Sequence, residues 1–226
     1  MTDHIRVTFT PGPPKTNVLV LGSPGPLPAI WLPFWKGNPL DVRDLGPRGQ
    51  PGEGYWLYTK VTESIADKEN ETHALVERVV DVNAMTVTDT LAKRNKTLVE
   101  LRPIMIAKIT AKKEQALAAG VAYADKRIAT DDGSRADITG MAATAMAVLV
   151  GLPGVTWPAS YALGWIAMDN TRIALPEPAD GIALAAAVGM TYSVIVQNAR
   201  TLKDKALAAA SAAALSGIDI GAGWPE

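Results

Sequence analysis

The chain has no cysteine among its 226 residues, so disulfides, thiolate metal sites and cysteine nucleophiles are excluded together. Histidine is nearly as scarce. His4 and His73 are the only two, they show no ligand-type spacing, and a metal site built almost wholly from carboxylates is uncommon. Aromatic side chains make up 6% of the chain, a poor stock for an aromatic-lined ligand pocket. The 22 basic and 23 acidic side chains leave a net charge of -1. No Lys/Arg block is dense enough for a phosphate surface, so nucleic acid is not expected as a partner. Long apolar runs are missing too: Ile138 to Leu152 and Ile182 to Val196 are about fifteen residues each and rich in Ala, Gly and Thr, where a bilayer span needs roughly 18 or more. Membrane insertion is therefore not expected. No apolar run follows Asp3, His4 and Arg6, so no signal peptide is read there.

Catalytic signatures are also absent. No Gly-x-x-x-x-Gly-Lys-Ser/Thr phosphate loop and no Gly-x-Ser-x-Gly elbow occurs. Asp131-Asp132-Gly133 lacks the further oxygen ligands and distal Glu of a calcium loop, and a helix cap with a turn explains it fully. The expectation is no catalytic, metal or cofactor-binding residue, no cofactor, and no enzymatic activity.

What is present falls into three parts, 1–54, 55–98 and 99–226, with an α+β fold overall. Residues 1–54 hold most of the prolines, which forbid continuous helix or sheet. Within this extended Pro/Gly-rich arm, Ile5 to Thr10 alternates as a strand and Asn17 to Leu21 suits another. The cluster Ile30, Trp31, Leu32, Phe34, Trp35 fits two readings: a plug into the chain's own core, or an anchor on another subunit with Trp31, Phe34 and Trp35 as interface residues. Gly46 to Gly54 places glycine first in three consecutive triplets, which reads either as a turn-rich linker or as a short collagen-like trimeric neck. Residues 55–98 read as a small antiparallel β region: strands near Leu57–Val61 and Thr72–Val82 joined by Asp67–Glu71 as a hairpin or meander, with Ala84–Thr90 as a third strand.

In 99–226 a first helix is expected from Pro103, favoured at the first helical position, to Gly120. Val121–Thr130 reads as a short paired strand element. A second helix runs from Asp132 or Ser134 to Val150, with an Asp/Ser cap and a Gly151–Pro153 stop. Leu163–Met168 and Arg172–Leu175 form a hairpin around Asp169-Asn170. A long last helix spans 179–215. Its seam, Ala185, Val188, Tyr192, Ile195, Ala199, Leu202, Ala206, Ala209, Ala213, steps by three and four. That seam suits packing on its own domain or against symmetry mates.

From about Val99 to Leu215 the order of features resembles a bacteriophage domain family of unassigned role, common in tail-fibre and tail-fibre-assembly proteins. The carrying residues are Arg127-Ile128-Ala129-Thr130-Asp131, Ser134-Arg135-Ala136-Asp137-Ile138-Thr139-Gly140, Gly164-Trp165-Ile166-Ala167-Met168-Asp169, and Arg172-Ile173-Ala174-Leu175-Pro176, ahead of the Ala-rich helix. In physical terms, Arg127–Thr130 and Leu163–Leu175 suit one small sheet with Trp165 under the helices. Gly140 suits close approach of a neighbouring element, and Asp137 suits the dipole of the second helix's first turn. The resemblance implies a virion structural component of a tailed phage (fibre, baseplate or head-fibre type), located in the virion. It would be trimeric and would assemble with other virion proteins. The alternative is a tail-fibre assembly chaperone absent from the finished particle, and a host-glycan-binding module is a more distant third. The family offers no catalytic residues.

Overall fold

A computed structural model of the chain describes residues 3–10, 15–27 and 52–225. Trp31, Phe34, Trp35 and the first two glycine-first triplets lie outside the described residues. The chain divides into two compact units, Met1–Lys96 and Thr97–Glu226, and the fold is α+β.

The first unit is built on one five-stranded sheet: β1 (His4–Thr10), β2 (Thr16–Gly25), β3 (Gly52–Thr62), β4 (Glu71–Asp81) and β5 (Thr86–Asn95), in the order β2-β1-β3-β5-β4. Alternation along β1 buries Ile5, Val7 and Phe9, and Trp56 and Val87 join them in one apolar cluster. The two strands expected in the arm pair with each other, β1 also pairs antiparallel with β3, and the boundary drawn at 54/55 falls inside β3. The third glycine triplet, Gly52–Gly54, is strand and not a collagen-like turn of helix. Its first glycine has a packing reason, because a Cβ there would sit 2.3 Å from Phe9 Cε2.

The expected β3–β4 hairpin is also corrected. β5 inserts between them, parallel to β3 and antiparallel to β4. The chemistry of β5 accounts for this, because Val87 and Asp89 are both buried and Asp89 takes partners from each flanking strand. β4 is left on the edge, where Leu75, Val76 and Val79 are exposed.

The second unit contains α1 (Leu98–Ala118), β6 (Val121–Tyr123), β7 (Lys126–Ile128), α2 (Asp132–Leu149), α3 (Ala159–Ala162), β8 (Trp165–Ile166), β9 (Arg172–Ile173), α4 (Pro178–Ala208) and α5 (Ala212–Ser216). α1 begins five residues before Pro103, which lies inside the helix. A capping box sets the start: Thr97 Oγ1 accepts from the Glu100 N–H, and the Glu100 carboxylate accepts from the Thr97 N–H at 2.7 Å. Two satisfied end groups outweigh the proline preference, and Pro103 forfeits the N–H bond that would have reached Val99 and crowds that carbonyl. Gly120 ends α1 at φ +72, where an L side chain would meet Met168 and the Ile128 carbonyl.

The paired strands form two separate two-stranded sheets, β6–β7 and β8–β9, in place of the single sheet expected. One backbone bond, from Met168 N–H to the Arg127 carbonyl at 2.8 Å, ties them. Trp165 is half-buried against the core formed by Val121, Ile128, Ile138, Met141, Leu184 and Val188. Gly140 has open space around it, so the close approach expected there does not occur within the chain. It occurs at Gly181, where a Cβ would lie 2.8 Å from the Trp157 ring. Trp157 itself donates through Nε1 to the Leu175 carbonyl at 3.0 Å.

α4 is the longest element, and its seam is used inside the chain. Val188, Ile195, Ala199, Leu202 and Ala206 are buried, and α4 packs on α2 and on α1. By length and composition alone α4 is long and apolar enough to cross a membrane. The helix expected to reach 215 stops at Ala208. Ala209 turns extended at φ -56, ψ 125, and Ser211 caps the short α5. The exchange gained is Leu215 for Ala213: Leu215 is 2% exposed, whereas Ala213, on the continuous seam, is exposed. Burying the larger side chain is worth roughly 2 kcal/mol at about 0.8 kcal/mol per CH₂.

Candidate functional site

Two of the quoted motif segments, Arg127–Asp131 and Ser134–Gly140, meet at the N-terminal end of α2. Asp131, as N-cap, accepts from the Ser134 N–H at 3.0 Å and from the Ser134 hydroxyl at 2.6 Å. Those bonds, the hydroxyl's first, hold its carboxyl below the usual range. The first-turn acid is Asp132, and Asp137 stands one turn further on. Arg135 pairs with Asp132, donates from Nε to the Thr130 carbonyl at 3.2 Å, and lays its guanidinium 4.2 Å from the Tyr192 ring centroid. An open cleft of about 430 Å³ lies beside this group, lined by Lys113, Glu114, Asp131, Asp132, Arg135 and Tyr192 among others.

The cleft adjoins a smaller, more apolar groove between α2 and α4. Its volume is about 250 Å³, and Ile138, Thr139, Ala142, Ala185, Val188 and Gly189 line it together with the same Arg135 and Tyr192. No residue from 138 to 168 or from 181 to 199 carries a formal charge. Met146, Leu149 and Val150 are exposed at the C-terminal end of α2, and Met190 and Val194 are exposed on α4. The α2 threonines offer little polarity to water, since Thr139 and Thr144 donate back to the Arg135 and Gly140 carbonyls at 2.8 and 3.0 Å.

Asp169, at the β8–β9 turn, works differently. It accepts from Thr171 N–H at 3.0 Å, from Thr171 Oγ1 at 2.6 Å and from Lys126 Nζ at 3.0 Å, so it links the two hairpins. These bonds, that of the Thr171 hydroxyl foremost, lower its pKa to about 2. Among the described residues no group of three His, Asp or Glu side chains is placed to hold a metal ion. In the first unit, Asp89 is buried and accepts from Arg78 Nε and Nη2, both at 2.6 Å, and from the Tyr58 hydroxyl at 3.0 Å. Arg78's bond first of all lowers the Asp89 pKa, and burial pushes the Tyr58 hydroxyl up. Sequence reasoning missed this trio because its members sit on three strands whose order the sequence does not state.

An α+β chain with a sheet unit followed by a helical unit with two small hairpins is what the geometry defines. Residues 100–222, more than half of the chain, match the family described as Domain of unknown function (DUF4376), and the chain belongs to that family. No curated protein and no solved structure matches the chain.

Proposed function

We propose that this chain is a non-enzymatic structural component of a tailed-phage virion, of tail-fibre, baseplate or head-fibre type, acting through protein–protein assembly. The observation that carries this reading is the absence of charge from 138 to 168 and from 181 to 199, with Met146, Leu149 and Val150 exposed at the C-terminal end of α2 and Met190 and Val194 exposed on α4. Exposed large apolar side chains on charge-free helices mark contact sites for other macromolecules. The tie to tailed phage rests on the motif order from Arg127 to Pro176. The near balance of charge supports protein partners over nucleic acid.

Asp131, Asp132 and Asp169 support a structural reading as well, each engaged in a cap, an intrahelical pair or a turn. The Ala-rich seam no longer argues for a trimer, because it faces the chain's own α1 and α2. Self-association and contacts with other virion proteins are assigned instead to the exposed α2–α4 surface. An assembly chaperone would use the same surface transiently and leave the particle.

Met146→Glu and Met190→Glu test the reading, since both side chains are at least half exposed and the folded chain tolerates a charge there. The expected result is an unchanged melting temperature with incorporation into particles reduced at least tenfold. Normal incorporation of both variants counts against the assignment.

A further inference from the structure

We propose that residues 178–216 form a two-state segment: two helices as the chain folds alone, and one continuous helix once Leu215 is withdrawn from α1. Apart from the Ser211 cap, the break between α4 and α5 has no local cause. Ala208, Ala209 and Ala210 are the best helix formers known, and no Gly, Pro or β-branched residue occurs between Lys203 and Ser216. Even so, Ala209 is extended at φ -56, ψ 125.

Two tertiary features and one local cap hold it so. Arg102 Nη2, from α1, donates to the Ala209 carbonyl at 2.9 Å, taking a group that a continuous helix would pair internally. Ser211 caps α5 by accepting the Ala214 N–H at 3.1 Å. Leu215 is buried, and Ile218, Ile220 and Trp224 follow it onto the surface made by Leu98, Leu101, Met105 and Ile109.

Helical phase shows what the two states exchange. In an unbroken helix the line through Leu202, Ala206 and Ala209 continues to Ala213, and Leu215 falls roughly 160° away on the opposite face. In the broken form Leu215 is buried and Ala213 is exposed. One leucine position therefore decides between the states. The continuous helix would carry 217–225 away from α1 and uncover Leu98, Leu101 and Met105, an apolar surface absent before the change. A partner's apolar side chain taking the place of Leu215 would drive the conversion.

The test exchanges the two side chains at constant composition. Ala213→Leu/Leu215→Ala puts the leucine on the unbroken seam, and backbone NMR of the full chain reads the outcome. Helical Cα shifts at Ala209–Ser211 are expected, with Ala210 amide exchange slowed at least tenfold relative to the parent chain. Adding Ala210→Pro, which a helix interior does not accept, should restore the extended shift at Ala209. If the swap keeps that extended shift and fast exchange while α1 and α2 stay protected, the proposal is overturned. If the swap instead loses protection across α1 and α2, Leu215→Ala alone decides. Helical shifts at Ala209 in that variant support the two-state segment, and extended ones overturn it.

Discussion

Replacing Arg78 with methionine removes both strong donors from Asp89 and keeps most of the apolar stem. Asp89's side chain is 6% exposed and Arg78's is 34% exposed, so the carboxylate stays largely buried while water gains a path from the edge-strand side. Stranding a fully buried charge costs about 3–5 kcal/mol. The surviving Tyr58 bond and the partial exposure bring the expected loss to roughly 2–3 kcal/mol. The units are compact separately, so the assay is a urea titration of the full chain followed through the β5 amide signals.

The pH dependence has a definite sign. In the parent chain the Asp89 pKa is lowered, mainly by Arg78. Its stabilisation is present above the unfolded carboxylate value of about 3.9 and is lost as pH falls through the lower folded value. Without Arg78, burial raises the pKa, and protonation relieves the penalty as pH falls towards about 4. The stability gap between parent and Arg78→Met should therefore close from pH 7 to pH 4. A loss below about 0.5 kcal/mol at pH 7, or a gap independent of pH, would refute the ion-pair account.

Other predictions concern the second unit. Asp131→Ala removes the α2 cap and should cost on the order of 1 kcal/mol while leaving particle infectivity intact; lost infectivity with normal melting and assembly would reveal a binding or active site at that residue. Ala124 and Asp125 turn the β6–β7 hairpin at φ +48 and +58. Ala124→Gly should accordingly stabilise the unit by about 1 kcal/mol, and a lower melting temperature would contradict the assigned strain. The Asp169 carboxyl, held at about 2, contributes stability that is fully present above the ordinary carboxylate pKa of about 3.9 and is lost progressively as pH falls from there through about 2. An NMR titration midpoint near 4 would show that the Thr171 and Lys126 bonds do not persist in solution.

Signals that reside in neighbouring residues were legible in the sequence. The alternation of Ile5, Val7 and Phe9, the Asp131 cap, the Gly120 stop and the Asp169-Asn170 turn each act over a few residues, and the α+β class followed from them. What depended on distant partners was not legible. The β3–β5 parallel pairing is fixed by Asp89 needing Tyr58 and Arg78 on opposite sides. The α4 break is fixed by Leu215 and Arg102 acting against a locally helical alanine run. The Thr97–Glu100 capping box was a local signal, overlooked in favour of Pro103. The apolar α2–α4 surface was visible as charge-free stretches in the sequence. Its exposed side became clear only once the Ala-rich seam was seen to face inward.

The central claim, that the chain is a permanent structural part of a tailed-phage particle, is tested most directly by quantitative mass spectrometry of gradient-purified particles alongside the lysate that produced them. The account predicts peptides of both units, 1–96 and 97–226, at a fixed copy number per particle that survives a high-salt wash. Peptides abundant in the lysate and absent from washed particles would contradict it and leave the assembly chaperone in its place.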